Sequence, residues 1–320
     1  MKFLTRLERF TTTAPAWVLA AACAGPAFGQ APSGTSEPIL RVDYEQPAAT
    51  ADQPAAQVAT RVIPAAAPVA GAPFDFRQLD GEHPLMPSLR FAKESLSVID
   101  QTIQDYQAIL YKQERIDGEL MDTEVALVKV RHNPFSVHLY FLSPNKGREC
   151  LYVEPSATNA GTGGKLHARD SGFRRKLGVF ELGPNGRLAM AGQKYPITKI
   201  GVRNLSTELV EVASKDVNYG ECEVNVSQTV IGPKDGEKRP VTLIEVTHPI
   251  ERNTFRFHKA QVFIDNELRI PIRYAAYLWP KAPGEAPPLE EAYTYLNLKV
   301  NNGFTDADFS RDNPDLFKSE

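Results

Sequence analysis

The stretch Thr123–Val153, TEVALVKVRHNPFSVHLYFLSPNKGRECLYV, decides the fold. Runs rich in β-branched and aromatic residues, Thr123 to Arg131, Ser136 to Leu142 and Glu149 to Glu154, are broken by Asn133-Pro134 and by Pro144-Asn145-Lys146-Gly147. Short strands with such breaks read as an antiparallel meander. Upstream, Tyr106 to Arg115 is a further strand, ended by Asp117-Gly118. Before it, Leu89, Ala92, Leu96, Ile99, Ile103 and Tyr106 recur at helical spacing, which predicts an amphipathic helix over Ser88 to Gln104 with Ser88 as its cap.

Downstream, Gly183-Pro184-Asn185-Gly186 reads as a tight turn bracketed by two strands. Ile197, Ile200, Leu205, Leu209 and Val212 fall on one side of a helical wheel and predict a second helix from Ile197 to Val212. Strands then resume at Cys222 to Val230, Val241 to Thr247, Lys259 to Asp265, Ile272 to Trp279 and Tyr293 to Val300, separated by turns such as Lys234-Asp235-Gly236. Helix, strands, helix, strands is not the βαβ alternation of a parallel nucleotide-binding sheet. The pattern predicts an α+β fold, a large antiparallel sheet with helices covering one face.

The chain has 320 residues, with 36 Lys and Arg against 39 Asp and Glu, for a formal charge of -3. That balance lacks the basic footprint of a nucleic-acid-binding domain, and no apolar run reaches the roughly 20 residues of a mature membrane-spanning helix. The N-terminus reads as an export signal: Lys2, Arg6 and Arg9 precede the apolar run Ala14 to Ala24, and Ala27-Phe28-Gly29 supplies small residues for cleavage. The mature chain is then expected to begin near Gln30. In a second version, Leu19-Ala20-Ala21-Ala22-Cys23 resembles a lipobox, Cys23 is acylated, and that lipid is the expected means of peripheral membrane attachment. From Ala31 to Pro73, 7 Pro and 12 Ala among 43 residues predict a disordered tether. The expected organisation is a signal peptide over 1–29, a linker over 30–73 and a single domain over 74–320.

Catalytic signatures are missing from the sequence. There is no G-x-S-x-G elbow and no H-E-x-x-H helix. Gly161-Thr162-Gly163-Gly164-Lys165 lacks both the first glycine and the hydroxyl residue of a phosphate loop and reads as a hairpin tip. His132 and His138, separated by Asn133-Pro134, do not share a register for a metal. Asp306, Asp308 and Asp312 imitate the opening of a calcium loop, but Arg311 replaces its turn glycine; Thr305 and Asp308 read better as a capping box. Arg174-Arg175-Lys176, with Lys165 and Arg169, forms a basic cluster that either meets anionic head groups or is a solvated face, the latter being the default. Cys150 and Cys222 either form the one bridge of an exported domain or stay two buried free thiols.

Four stretches carry a family likeness: Asp105–Arg115 (DYQAILYKQER), Pro134–Val153 (PFSVHLYFLSPNKGRECLYV), Phe263–Pro280 (FIDNELRIPIRYAAYLWP) and Tyr293–Phe309 (YTYLNLKVNNGFTDADF). On them the chain resembles a bacterial envelope family catalogued as domain of unknown function fifteen-seventy-one, whose fold is expected to resemble the LolA lipoprotein carriers. The resemblance implies an open, curved antiparallel half-barrel whose apolar concave side is lidded by the two helices and takes lipid acyl chains. Alternating strand positions then nominate Leu127, Val137, Leu139, Phe141, Val262, Ile264, Tyr274 and Leu296 as cavity residues, although a one-residue shift in register would reverse the face. The expected function is non-enzymatic binding of a lipid or lipoprotein acyl chain in the periplasm or cell envelope, with no cofactor. The alternative is an envelope interaction or sensor module that presents its sheet to a protein partner.

Overall fold

A computed structural model describes residues 74–219, 222–232 and 237–318. The expected signal, Cys23, the Pro/Ala tether and the turn at Lys234-Asp235-Gly236 lie outside the described residues.

The first helix, α1 (Met86–Thr102), leads into β1 (Asp105–Ile116), β2 (Glu119–Leu120), β3 (Glu124–Arg131), β4 (Ser136–Ser143), β5 (Glu149–Val153), β6 (Leu166–Arg169) and β7 (Phe180–Leu182). The second helix, α2 (Val202–Asp216), is followed by β8 (Glu223–Ile231), β9 (Arg239–Thr247), β10 (Lys259–Asp265), β11 (Pro271–Tyr277) and β12 (Leu289–Val300). Among the described residues these strands form one open antiparallel sheet in the order β7-β6-β5-β4-β3-β1-β12-β11-β10-β9-β8, with β2 paired only to β1. Both helices cover one face, and none of the described helices is long and apolar enough to cross a membrane.

The first and last strands therefore meet in the middle. Along β1 and β12 Leu110 faces Tyr295, Lys112 faces Tyr293 and Glu114 faces Glu291. At the end of this seam the buried Asp105 carboxylate accepts the backbone N–H groups of Asn302, Gly303 and Phe304 at 2.6, 3.0 and 3.0 Å, turning the chain out of β12. The next residues make the expected capping box, with the Thr305 N–H donating to Asp308 at 2.8 Å.

Three elements depart from the sequence reading. Helix α1 starts two residues before Ser88, with Pro87 in its first turn, where a missing N–H forfeits no intrahelical bond; Ser88 does not cap it. Helix α2 starts at Val202 because Gly201 holds φ at +117°, outside the helical region, and Ile197–Lys199 before it is a separate 3-10 turn. The hairpin at Gly183–Gly186 does not form: β7 pairs instead with β6, and residues 187–196 fold into turns that cross the end of the β1–β12 seam. The Gly161–Lys165 segment is the connection between β5 and β6, closed by Thr162 N–H to Val153 carbonyl at 3.2 Å.

Helix α2 is fixed to the seam by two phenols. The Tyr106 hydroxyl accepts the Val202 N–H at 3.0 Å and the Tyr295 hydroxyl accepts the Gly201 N–H at 3.1 Å. They satisfy donors at a helix start that has no side-chain cap. Glycine is required at 201, since a Cβ there would sit 2.9 Å from the Tyr106 oxygen.

The disulfide alternative fails. Cys150 and Cys222 are both free, one on β5 and the other leading into β8, with seven strands between β5 and β8 in the sheet. At about 4.8 Å per strand, the path along the sheet from one to the other far exceeds the ~7 Å a bridge can span. Burial pushes both thiols up to about 12.

Two outcomes follow from this packing. Tyr106→Phe removes one acceptor and strands the Val202 N–H, so urea unfolding should show a loss of about 1–3 kcal/mol. Unreduced native protein should resist alkylation at Cys150 and Cys222, while unfolded protein labels fully at both, read by peptide mass spectrometry.

Candidate functional site

Beneath the helices lies a cavity of about 730 Å³. Its floor is the β9–β12 half of the sheet, where Ile244, Val246, Ala260, Val262, Ile264 and Ala276 face inward. Their common face follows from register: Ile244 pairs with Val262, Val246 with Ala260, Val262 with Tyr274 and Ala260 with Ala276. Phe91 and Ala92 of α1 and Leu205, Leu209 and Val212 of α2 supply the roof. Small residues at facing positions leave room: Ala260 and Ala276 below, Ala92, Ser95 and Ala213 above.

One end of the cavity is charged. Glu114 and Glu291, directly opposite each other across the seam, both face inward. Like charges so placed repel, and a lysine pairs with each. Lys112 Nζ lies 3.2 Å from Glu114 and 2.7 Å from Glu124, while Lys194 Nζ lies 3.0 Å from Glu291 and also pairs with Glu290. The Tyr293 hydroxyl and the Lys194 backbone N–H donate to Glu114 at 2.6 and 2.9 Å. Burial pushes the Glu291 carboxyl above the usual carboxylate range; Lys194 pulls against that shift and Glu114 adds to it.

The eight nominated residues divide by face. Val262, Ile264 and Tyr274 line the cavity. Val137, Leu139 and Phe141 point to the same side, where they pair with Val130, Val128 and Ala126, but they belong to the filled core over the β1–β5 half. Leu127 and Leu296 lie on the opposite face, both paired with Ile109 of β1, and Leu127 is 45% exposed. The inversion at Leu127 is a one-residue matter, since Val128, not Leu127, faces Leu139. At Leu296 a bulge between Gln107 and Ile109, with Asn297 at φ +53°, switches the parity of β12.

The charged end was not anticipated from sequence. A signal for it exists: in DYQAILYKQER, Lys112 and Glu114 share parity with Tyr106, Ala108 and Leu110, all of which are buried. Arg169 leaves the basic surface cluster, being buried against Glu149 at 2.9 Å.

The family model described as Protein of unknown function (DUF1571) matches residues 103–317. No curated protein matches the chain significantly. Among solved structures, a LolA superfamily protein from Nitrosomonas europaea is similar at 12% identity, over 69% of this chain and 98% of that one, with a TM-score of 0.28. Mycobacterium tuberculosis lipoprotein LppX is similar at 15% identity, over 67% and 98%, with a TM-score of 0.36. The Pseudomonas aeruginosa MucA/MucB complex contains a chain similar at 15% identity, over 70% and 60%, with a TM-score of 0.38.

The raised Glu291 makes stability pH-dependent in a definite direction. Its folded pKa stands above the ordinary 4.5, so the folded state holds the proton that the unfolded state has released. Its contribution therefore falls as pH rises from 4.5 through the raised value. Glu291→Gln lacks this group, and its unfolding free energy relative to the parent should climb in urea titrations as pH rises above 4.5 and level off beyond the raised value.

Proposed function

The chain belongs to the DUF1571 family, and from the geometry of its cavity we propose that it is an exported envelope protein that binds a lipid or lipoprotein acyl chain without covalent chemistry. One observation carries the reading: a cavity of about 730 Å³ stays open under the helices, floored by apolar strands, while the other half of the same face is filled by its own side chains. That volume lies within the ~300–1,000 Å³ of small-molecule sites, and each methylene buried there contributes about 0.8 kcal/mol. The charged end suits an amphiphile, whose hydrocarbon lies over Val246, Ala260 and Val262 while its polar group meets the paired charges of Lys112, Glu114, Lys194 and Glu291. Export rests on the N-terminal sequence, and the periplasm or envelope is the compartment it implies.

Native mass spectrometry of the full chain purified from its own envelope should find a non-covalent lipid. Ala260→Phe should fill the cavity, keep the circular dichroism of the parent and weaken binding of a fluorescent fatty-acid analogue at least about tenfold. Leu139→Glu, in the filled half, should instead unfold the domain, because an unpaired carboxylate there costs several kcal/mol, about the whole stability of a typical domain. A parent chain that carries no lipid and takes up no analogue would overturn the proposal.

A further inference from the structure

The segment between β6 and β7 displays large apolar side chains to solvent. Phe173 and Leu177, on the 3-10 turn Gly172–Leu177, are 81% and 63% exposed, and Phe180 beside them on the edge strand β7 is 44% exposed. Three cations, Arg174, Arg175 and Lys176, stand between them, and no acidic residue occurs from Ser171 to Phe180.

The turn is held from beneath. Arg175 donates to the Gly147 carbonyl at 3.1 Å and to the Lys318 carbonyl, which ties the turn to the β4–β5 connection and to the C-terminal segment. Arg175 is spent on that anchorage. Among the described residues Arg174 has one long ionic contact, 3.7 Å to Asp170, a carboxylate that Arg148 already holds at 3.1 Å. Lys176 reaches over the exposed Phe173 ring at 5.6 Å, so cation and aromatic face solvent together. The nearby carboxylate of Glu181 is paired with Arg311 at 3.0 Å.

We propose that Phe173, Leu177 and Phe180, with Arg174 and Lys176, form a docking face for an anionic lipid surface. Exposed rings and a leucine enter the boundary between head groups and acyl chains, while the cations meet lipid phosphates, the division of labour of interfacial segments. The whole chain carries a formal charge of -3, so this cationic turn also orients an otherwise acidic protein toward the membrane. The face does not depend on the cavity and supplies a means of membrane contact besides acylation of Cys23.

The test is vesicle flotation of the full chain carrying Cys23→Ser, so that no acyl group supplies attachment. The chain should float with vesicles containing about 30% phosphatidylglycerol, release in high salt, and stay behind with purely zwitterionic vesicles. Phe173→Ser with Leu177→Ser, and separately Arg174→Gln with Lys176→Gln, should each weaken flotation about tenfold or more while leaving circular dichroism unchanged. Flotation that both double variants retain overturns the proposal, as does equal flotation with neutral vesicles. Failure to float, with salt-reversible retention on immobilised polyglutamate, also overturns it and makes the face a surface for acidic proteins.

Discussion

The rest of the structure depends on the antiparallel pairing of β1 with β12, the first and last long strands of the domain. The seam places Tyr106 and Tyr295 side by side, with rings edge to face at 6.3 Å, and their hydroxyls receive the backbone N–H groups of Gly201 and Val202 at the start of α2. A fully buried tyrosine needs such a partner, since an unmatched hydroxyl in the core costs about 1–3 kcal/mol. One contact thus satisfies two requirements, the buried phenol and the uncapped helix start. It also fixes the height of α2 above the sheet, and so the depth of the cavity. A seam between chain ends is a contact of long sequence separation, formed only after much of the chain has been brought together.

The two halves of the inner face differ in what covers them. Over β3 to β5, Val128, Val130, Val137, Leu139, Phe141 and Tyr152 interdigitate into a filled core. Over β10 and β11 the corresponding floor holds Ala260 and Ala276, under Ala92 and Ser95 of α1. Ile244, Val246, Val262, Ile264 and Tyr274 share that floor, so the open space of the cavity lies between them and the roof helices. Its charged end has a different logic: a domain that needed only stability would gain from replacing Lys112, Glu114 and Glu291 with packed apolar groups, because desolvating several charges is costly.

Much of this was legible in the sequence, for reasons that particular residues make plain. Turn chemistry at Asn133-Pro134 and Pro144–Gly147 punctuated the meander, and its strands stand close to where the sequence put them. What local pattern does not carry is register between strands. Nominating both Leu127 and Leu139 joined opposite faces, because the turn at 132–135 pairs Leu139 with Val128. The start of α2 was misread because the apolar stripe continues through Ile197 and Ile200 while Gly201, with no side chain to break the periodicity, ends the helix by its dihedral. The charged end escaped notice because Lys and Glu alternating with Gln and Arg in KQER resemble a solvated strand end; only their parity with Leu110 marks them as inward.

The two helices, alike in sequence as amphipathic covers, are held by different forces. Helix α1 buries Leu89, Phe91 and Ile99, and Phe91 packs against Phe74 at 4.6 Å, so it is a wall of the core. Helix α2 fully buries only Val202, Ser206 and Asp216. Polar bonds fix its ends: the two phenols at its start, and at its finish Asp216, which accepts from the His248 ring at 3.3 Å. Its apolar middle, Leu205, Leu209 and Val212, is half-buried over open space. Hydrogen bonds at both ends hold such a span without requiring that its middle be packed. A hydrocarbon bound beneath it would complete the burial of those three side chains, at about 25 cal/mol for each Å² removed from water. Occupancy of the cavity and stability of α2 would thereby be thermodynamically linked, since a ligand at free concentration L that binds only the folded state stabilises it by RT ln(1 + L/Kd).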